Sequence, residues 1–261
     1  MKWLWHRRKP LAALLLLILL VVQMPARPLQ WLFPRDRLVL SGLAGTLWSG
    51  HATRAWVVVD DQLLMLGRVD WQFRPWRLLW SEPLSVTASW GDQVLQTDLG
   101  VRLSGRLVMS DARINFDTEV LRRFLPLYLG GSAGGRFEHV VWGPQGIEGA
   151  QGVISLRDTV WTARSGLIPL GSYRVDLRDA PTTDEQTAEP DSPETEVVKG
   201  IVSTEDGSLQ LDGIVSLSQV GYDVSLSAKG PVAKDEGFLR AVSVVATPTA
   251  DGFDVVLQGA L

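Results

Sequence analysis

The chain has 261 residues, 46% of them hydrophobic, enough to bury a core of ordinary size in one domain or two small ones. Its formal net charge of -4 is unevenly spread: residues 1–37 hold Lys2, Arg7, Arg8, Lys9, Arg27, Arg35 and Arg37 against Asp36 alone. The remainder is therefore acidic and lacks the clustered positive face that a phosphate backbone requires, which excludes nucleic acid as a partner.

Cysteine is absent, which removes thiol nucleophiles, disulfides and thiolate metal sites. The three histidines, at positions 6, 51 and 139, have no ligand spacing, so neither a metal nor a cofactor is expected.

From Pro10 to Ala26 there is no charged residue, and Leu11 to Val22 is unbroken Leu, Ala, Ile and Val. In a bilayer core such a run must be helical to satisfy its own backbone. The reading is a transmembrane helix over residues 10–27, anchored by Leu11, Leu14, Leu15, Leu16, Leu17, Ile18, Leu19, Leu20, Val21 and Val22. Trp3, Trp5 and Trp31 flank it as interfacial anchors. A helix from Trp5 to Trp31 would rise ~39 Å at 1.5 Å per residue, close to a bilayer with its headgroups. Pro25, Pro28 and Pro34 would end it.

The rival is a cleaved signal peptide, but Val22-Gln-Met-Pro-Ala-Arg-Pro28 has no small-x-small site. The basic residues of segment 1–9 mark it as a cytoplasmic tail by the positive-inside rule, so residues 28–261 are expected outside, in the periplasm of a cell with two membranes. The protein is thus expected to be a single-pass inner-membrane protein.

After Pro34, period-two alternation dominates. Strands are predicted at Arg37–Ser41, Ala55–Asp60, Leu84–Trp90, Leu99–Leu107, Arg136–Trp142, Gly152–Leu156, Tyr173–Leu177, Ser208–Leu217, Tyr222–Ala228 and Gly252–Leu261. The fold class follows: mainly β, a curved, largely antiparallel sheet behind one membrane helix, with one short amphipathic helix at Thr118–Leu129. Pro75–Leu79 suits a single helical turn opened by its proline. Residues 181–197 are Pro, Thr, Asp, Glu, Ser, Gln and Ala up to a final Val, and read as a disordered acidic loop, because such a composition buries too little to offset chain entropy.

No catalytic constellation emerges, and an enzyme is not expected. Gly130-Gly-Ser-Ala-Gly134 fits G-x-S-x-G, but a hydrolase elbow needs a helix after it, and Arg136-Phe-Glu-His-Val-Val alternates as a strand. The glycines read as a flexible turn instead. Asp60-Asp61 and Glu205-Asp206 read as solvated acids beside turns at strand ends. Of eleven tryptophans, nine precede position 91. Two roles are open for those of the exported part: filling the core of the first sheet layer, or presenting an apolar surface to the membrane or a partner.

Leu40-Ser-Gly-Leu-Ala-Gly-Thr-Leu-Trp-Ser-Gly50 followed by Val69-Asp-Trp-Gln-Phe-Arg-Pro-Trp-Arg-Leu-Leu79 resembles the type II secretion system protein N family. Gly45, Thr46, Leu47, Trp48 and Gly50 match its G-T-L/V-W-x-G turn. Trp71, Phe73, Pro75, Leu78 and Leu79 match its W-x-(hydrophobic)-x-P-x-x-L-L segment, which here also carries Trp76. Leu121–Leu129, Val153–Trp161 and Gln258–Leu261 are similar to later family segments; the acidic loop departs from the pattern.

The resemblance implies an inner-membrane accessory subunit of the machinery that exports folded proteins across the outer membrane, with other subunits of that machinery as partners. A more distant similarity to AsmA-like envelope proteins implies the alternative, a lipid-binding or lipid-transfer role for an apolar β-groove. The oligomeric state stays open. As backbone devices, Gly45 and Gly50 suit tight turns with positive φ, with Trp48 packing inward between them. Pro75 would start a turn that carries Trp76, Leu78 and Leu79 onto the open end of the sheet.

Overall fold

A computed structural model describes residues 16–17, 19–29, 38–59, 62–79, 82–102, 104–118, 128–144, 146–163, 166–179, 198–218 and 221–260. The chain divides into two compact units, Met1–Gly91 and Asp92–Leu261. Both are built from alternating sequences, and both run mainly as antiparallel meanders.

In the first unit β1 (Leu38–Gly45) pairs with β2 (Ser49–Val59), β2 with β3 (Gln62–Phe73) and β3 with β4 (Leu84–Trp90). A 3-10 turn, Pro75–Leu79, follows β3 as its proline predicts. Leu16, Leu17 and residues 19–22 are helical and exposed, Leu16 and Leu20 by 64% and 65%. Of the expected membrane helix, residues 10–15 and 18 lie outside the described residues and residues 23–27 are not helical; among the described residues no helix is long and apolar enough to cross a membrane.

The described tryptophans do not form this unit's core. Trp48, Trp56 and Trp71 are half-buried and Trp90 is exposed, while the buried positions among the described residues are Ala26, Ala52, Ala55, Gly67, Pro83 and Ala88. The reason is geometric. Where alanine and glycine line the inner positions, backbones come close together, and the indoles are left at the periphery.

The second unit runs through β5 (Gln93–Val101), β6 (Leu107–Asp117), β7 (Leu129–Gly143), β8 (Gly146–Ala163), β9 (Gly166–Asp179), β10 (Val198–Gly207), β11 (Gln210–Leu217) and β12 (Gly221–Lys229). It ends with the helix α1 (Glu236–Val242), β13 (Ala246–Pro248) and β14 (Gly252–Ala260). Each strand from β5 to β12 pairs with the next, and β14 lies between β12 and β13.

Residues opposed across antiparallel strands share a face, so the register sorts the sequence into two surfaces. One continuous row is Ile114, Gly135, Ile154, Val175, Val202, Gly213, Leu226 and Val255. A parallel row is Ala112, Phe137, Gly152, Leu177, Gly200, Val215, Val224 and Leu257. Neither contains a polar side chain. The opposite face carries Arg136, Asp176, Arg174, Lys199, Asp212 and Asp223.

At one end of the apolar face α1 and the turn Val232–Lys234 close a core of Trp161, Leu170, Tyr173, Leu209, Ala228, Phe238, Val242 and Phe253. The Phe238 ring stands edge-on to Trp161 with centroids 5.1 Å apart. Asp235 caps α1, its carboxylate accepting from the Phe238 N–H at 2.9 Å. Phe238 and Val242, four apart, fall on one side of the helix and are buried.

Three sequence expectations need correction. The strand predicted at Leu99–Leu107 is instead the end of β5, a turn and the start of β6. The Arg102 N–H donates to the Arg106 carbonyl at 2.9 Å, and Gly105 sits at φ 80°. Apolar alternation persisted through this hairpin and hid the turn. Gly130–Gly134 is no flexible turn but part of β7. Gly131, at φ 125°, faces an irregularity in the β7–β8 pairing where Asp158 has φ 50°, and a Cβ on it would lie 2.7 Å from the Arg157 carbonyl.

The third concerns Thr118–Leu129, whose interior lies outside the described residues. Its last residue opens β7 rather than ending a helix. Thr118 is fully buried and its hydroxyl lies 3.3 and 3.0 Å from the carbonyls of Leu129 and Gly131. Residues 181–197 and Asp60-Asp61 also lie outside the described residues. Helix α1, strands β3, β10 and β13, and β6 beyond Leu107 were not anticipated.

Candidate functional site at the helix and first-sheet joint

The two motifs meet in space. Gly45 holds φ 91° at the end of β1, where a Cβ would lie 2.6 Å from the Ser49 carbonyl, so only glycine fits. The hairpin then closes on side chains: the Thr46 N–H donates to the Ser49 carbonyl at 2.8 Å, and the Ser49 N–H donates to the Thr46 hydroxyl at 3.1 Å.

Gly50 has no positive φ, contrary to expectation. Its requirement is space, since a Cβ would stand 2.5 Å from the Ala44 carbonyl and 2.7 Å from Cζ2 of Trp71. Trp71 lies over Gly50 as its cross-strand partner and donates its indole N–H to the Leu47 carbonyl at 3.2 Å. The Phe73 N–H donates to the Trp48 carbonyl at 2.6 Å, and the two rings pack with centroids 5.6 Å apart.

This assembled turn grips the end of the apolar helix. The last carbonyls of a helix have no partner within it. Here the Trp48 indole N–H donates to the Val21 carbonyl at 2.8 Å, and the Leu47 N–H donates to the Met24 carbonyl at 2.8 Å. In return the Ala26 N–H donates to the Gly45 carbonyl at 3.2 Å, and Pro25 bridges to Thr46. Ala26 is 2% exposed beneath this contact. Each such bond contributes about 0.5–1.5 kcal/mol net, so the set fixes a direction for the helix more than it adds stability.

Trp48 therefore packs against Phe73 and reaches back to the helix, rather than lying inward over the sheet. Beyond Phe73 the Arg74 N–H donates to the Pro83 carbonyl at 2.7 Å, which sets the departure of the 3-10 turn. That turn does not lay its apolar residues on the sheet: Trp76 and Leu78 are 63% and 60% exposed. On β3, Arg68 binds Asp70 through two nitrogens at 2.9 Å and holds its carboxyl below the usual carboxylate range.

Among the described residues no three of His, Cys, Asp and Glu gather where one metal ion would fit. Ser132 faces Asp117 and Arg157 across the strands, with no histidine beside it in the register. Asp206 and Glu205 sit at the end of β10, where Asp206 accepts from the Ser172 N–H at 2.9 Å and Glu205 pairs with Arg174. A cavity of about 420 Å³ at this end is lined by Asp158, Leu170, Ser172, Asp206 and Ser208 among others. The one hydroxyl there without a partner, Thr159 Oγ1, is buried away from solvent.

Sequence reading identified the motif residues but missed what they hold. Val21, Met24 and Ala26 take part through backbone atoms, 22 to 27 positions from Trp48 and with no local signal to mark them.

A family model described as type II secretion system (T2SS), protein N, matches residues 36–256, well over half of the chain. No curated protein and no solved structure gives a significant match.

Proposed function

The chain belongs to the type II secretion system protein N family and is an accessory subunit of that machinery, and we propose that it acts there as a tethered periplasmic scaffold. In this reading the apolar N-terminal run holds the chain in the inner membrane, residues 1–9 face the cytoplasm, and the β-rich body meets other secretion subunits in the periplasm. It performs no chemistry of its own.

The observation that carries the reading is the joint. A tether transmits position only if the membrane segment and the unit it holds share a fixed orientation, and within the first unit Trp48, Leu47 and Gly45 hydrogen-bond directly to Val21, Met24 and Ala26. The exposed leucines and valines of residues 16–22 support a lipid environment for the helix. Site-directed photo-crosslinking in intact cells, with probes on the polar face and strand edges, tests the reading. Capture of other secretion subunits is expected; capture of none, with secretion of folded substrates unchanged in a deletion strain, refutes it.

A second reading rests on a different observation, the two apolar rows of the second unit, which extend over eight strands with no polar side chain. A surface so uniform suits hydrocarbon chains, which need area without directional bonds. Native mass spectrometry of the full-length protein discriminates the readings. Co-purified phospholipid near one per chain favors lipid handling, and a lipid-free protein that still captures secretion subunits favors the scaffold.

A further inference from the structure

The 3-10 turn Pro75–Leu79 exposes a tryptophan and a leucine where neither is needed for packing. Trp76 and Leu78 are 63% and 60% exposed, and they lie on a segment whose start is fixed twice, by the Phe73–Trp48 contact and by the Arg74 N–H bond to Pro83. Three Cα steps of 3.8 Å keep Trp76 within about 11 Å of Phe73. Phe73 packs on Trp48, and Trp48 bonds the last turn of the exposed apolar helix. The turn thus sits beside the point where that helix ends.

We propose that Pro75–Leu79 is a second membrane contact, with Trp76 and Leu78 seated in the headgroup layer of the leaflet from which the helix emerges. This inference rests on the anchor reading above, because the helix defines where the leaflet lies.

Three features point to lipid as the occupant. Leu16, Leu17, Leu19, Leu20 and Val22 on the helix and Trp76 and Leu78 on the turn are all exposed, and an apolar medium would cover both sets. The cations beside it suit anionic headgroups: Arg27 is exposed where the helix ends, and Arg74 donates to the neutral Gln72 amide oxygen at 2.6 Å, a contact that leaves its charge in place. Tryptophan favors that depth, where its ring is apolar and its N–H reaches water. The consequence is mechanical. Two contacts, one spanning and one shallow, restrict rotation of the body about the helix axis, which a single tether leaves free.

The absence of cysteine makes the test direct. Leu17→Cys, Trp76→Cys, Leu78→Cys and, as an aqueous control on the polar face of the second unit, Asp212→Cys are each labeled with an environment-sensitive fluorophore. The full-length protein is reconstituted into vesicles of phosphatidylethanolamine with phosphatidylglycerol, with and without lipid-borne nitroxide quencher. Labels at 17, 76 and 78 are expected to shift to the blue and lose roughly half of their emission to the quencher, while the label at 212 loses little. Water-like emission at 76 or 78 with a lipid-like signal at 17 overturns the inference and leaves the anchor standing. A water-like signal at 17 overturns the anchor reading and, with it, this one.

Discussion

The two units solve the burial problem in opposite ways. The second has an aromatic core, Trp161 against Phe238 against Phe253, sealed by α1 on the face whose two central rows hold no polar side chain. Among its described residues the first buries small residues and Pro83 and leaves its tryptophans half-exposed or exposed, while backbone bonds hold its elements together. Aromatic side chains usually dominate core energetics, so a unit that keeps them outside has little to stabilize it in water alone. The contrast teaches that the first unit is shaped for a surface and the second for itself.

The largest test strikes the self-sufficient side. Phe238 is 2% exposed and touches both Trp161 and Phe253, so Phe238→Ala should cost the second unit about 3–5 kcal/mol through lost burial and the cavity left behind. Urea unfolding of the full-length protein, followed by tryptophan fluorescence, measures it. A loss below about 1 kcal/mol would mean that α1 is not the seal and would erase the contrast.

Next in size is the joint of the first unit. Gly50→Ala forces a methyl group to 2.5 Å from the Ala44 carbonyl and 2.7 Å from Trp71, and since one is backbone and the other a packed ring, roughly 1–3 kcal/mol is expected. The readout is protease sensitivity near the β1–β2 hairpin of the membrane-reconstituted protein, with the second unit's unfolding midpoint unchanged. A shift of that midpoint would show that the units are not energetically separate.

Tyr173→Phe separates the two again, through pH. The Tyr173 hydroxyl donates to the Leu209 carbonyl at 3.0 Å inside the core, and burial, assisted by Asp206, pushes its phenol well above the ordinary value. The folded state therefore holds a proton that the unfolded chain releases at about pH 10. The stabilization is complete below that pH and declines as pH rises above it toward the folded value. The phenylalanine variant should lose about 1–2 kcal/mol near neutral pH and show a flatter alkaline limb. An identical limb in both proteins would remove Tyr173 from the account.

Trp48→Phe keeps a ring against Phe73 but deletes the donor to Val21, for about 1 kcal/mol. Because the loss is local, it should raise hydrogen exchange of the Ala26 amide, which donates to the Gly45 carbonyl, about fivefold and leave the second unit untouched. Unchanged exchange would mean that the indole bond does not set the helix direction.

Legibility in the sequence followed the same division. Strand β4 was predicted at its observed limits, Leu84–Trp90, because alternation and flanking turn residues agree there. The β5–β6 turn was missed because a hairpin that keeps its parity looks like one long strand. Gly134 and Gly135 misled for a physical reason: a Cβ on Gly135 would lie 2.8 Å from the Phe137 ring, so the glycine is a strand residue that makes room for an aromatic two positions on. Helix α1 escaped notice because it has seven residues and includes Gly237, a weak helix former. At the joint, the motif residues were legible as a pattern, whereas the grip of Trp48 on Val21 was not. It spans 27 positions and ends on a carbonyl, which every residue has.

The smallest effect belongs to the polar face of the second unit, and it completes the contrast. Arg174 on β9 donates through Nε to Glu205 on β10 at 2.7 Å, a well-formed pair whose side chains remain 44% and 35% exposed. At that exposure water screens most of the attraction and two long side chains lose freedom, so Arg174→Ala should cost only about 0.2–1 kcal/mol. The difference should shrink further in molar salt, where the screening length falls to about 3 Å. If stability resides on the apolar face, the loss stays several times below that of Phe238→Ala at every ionic strength. A loss that equals it, or that salt does not reduce, would place real stabilization on the polar face. The division of labor between the two faces would then have to be redrawn around a charge network rather than a core.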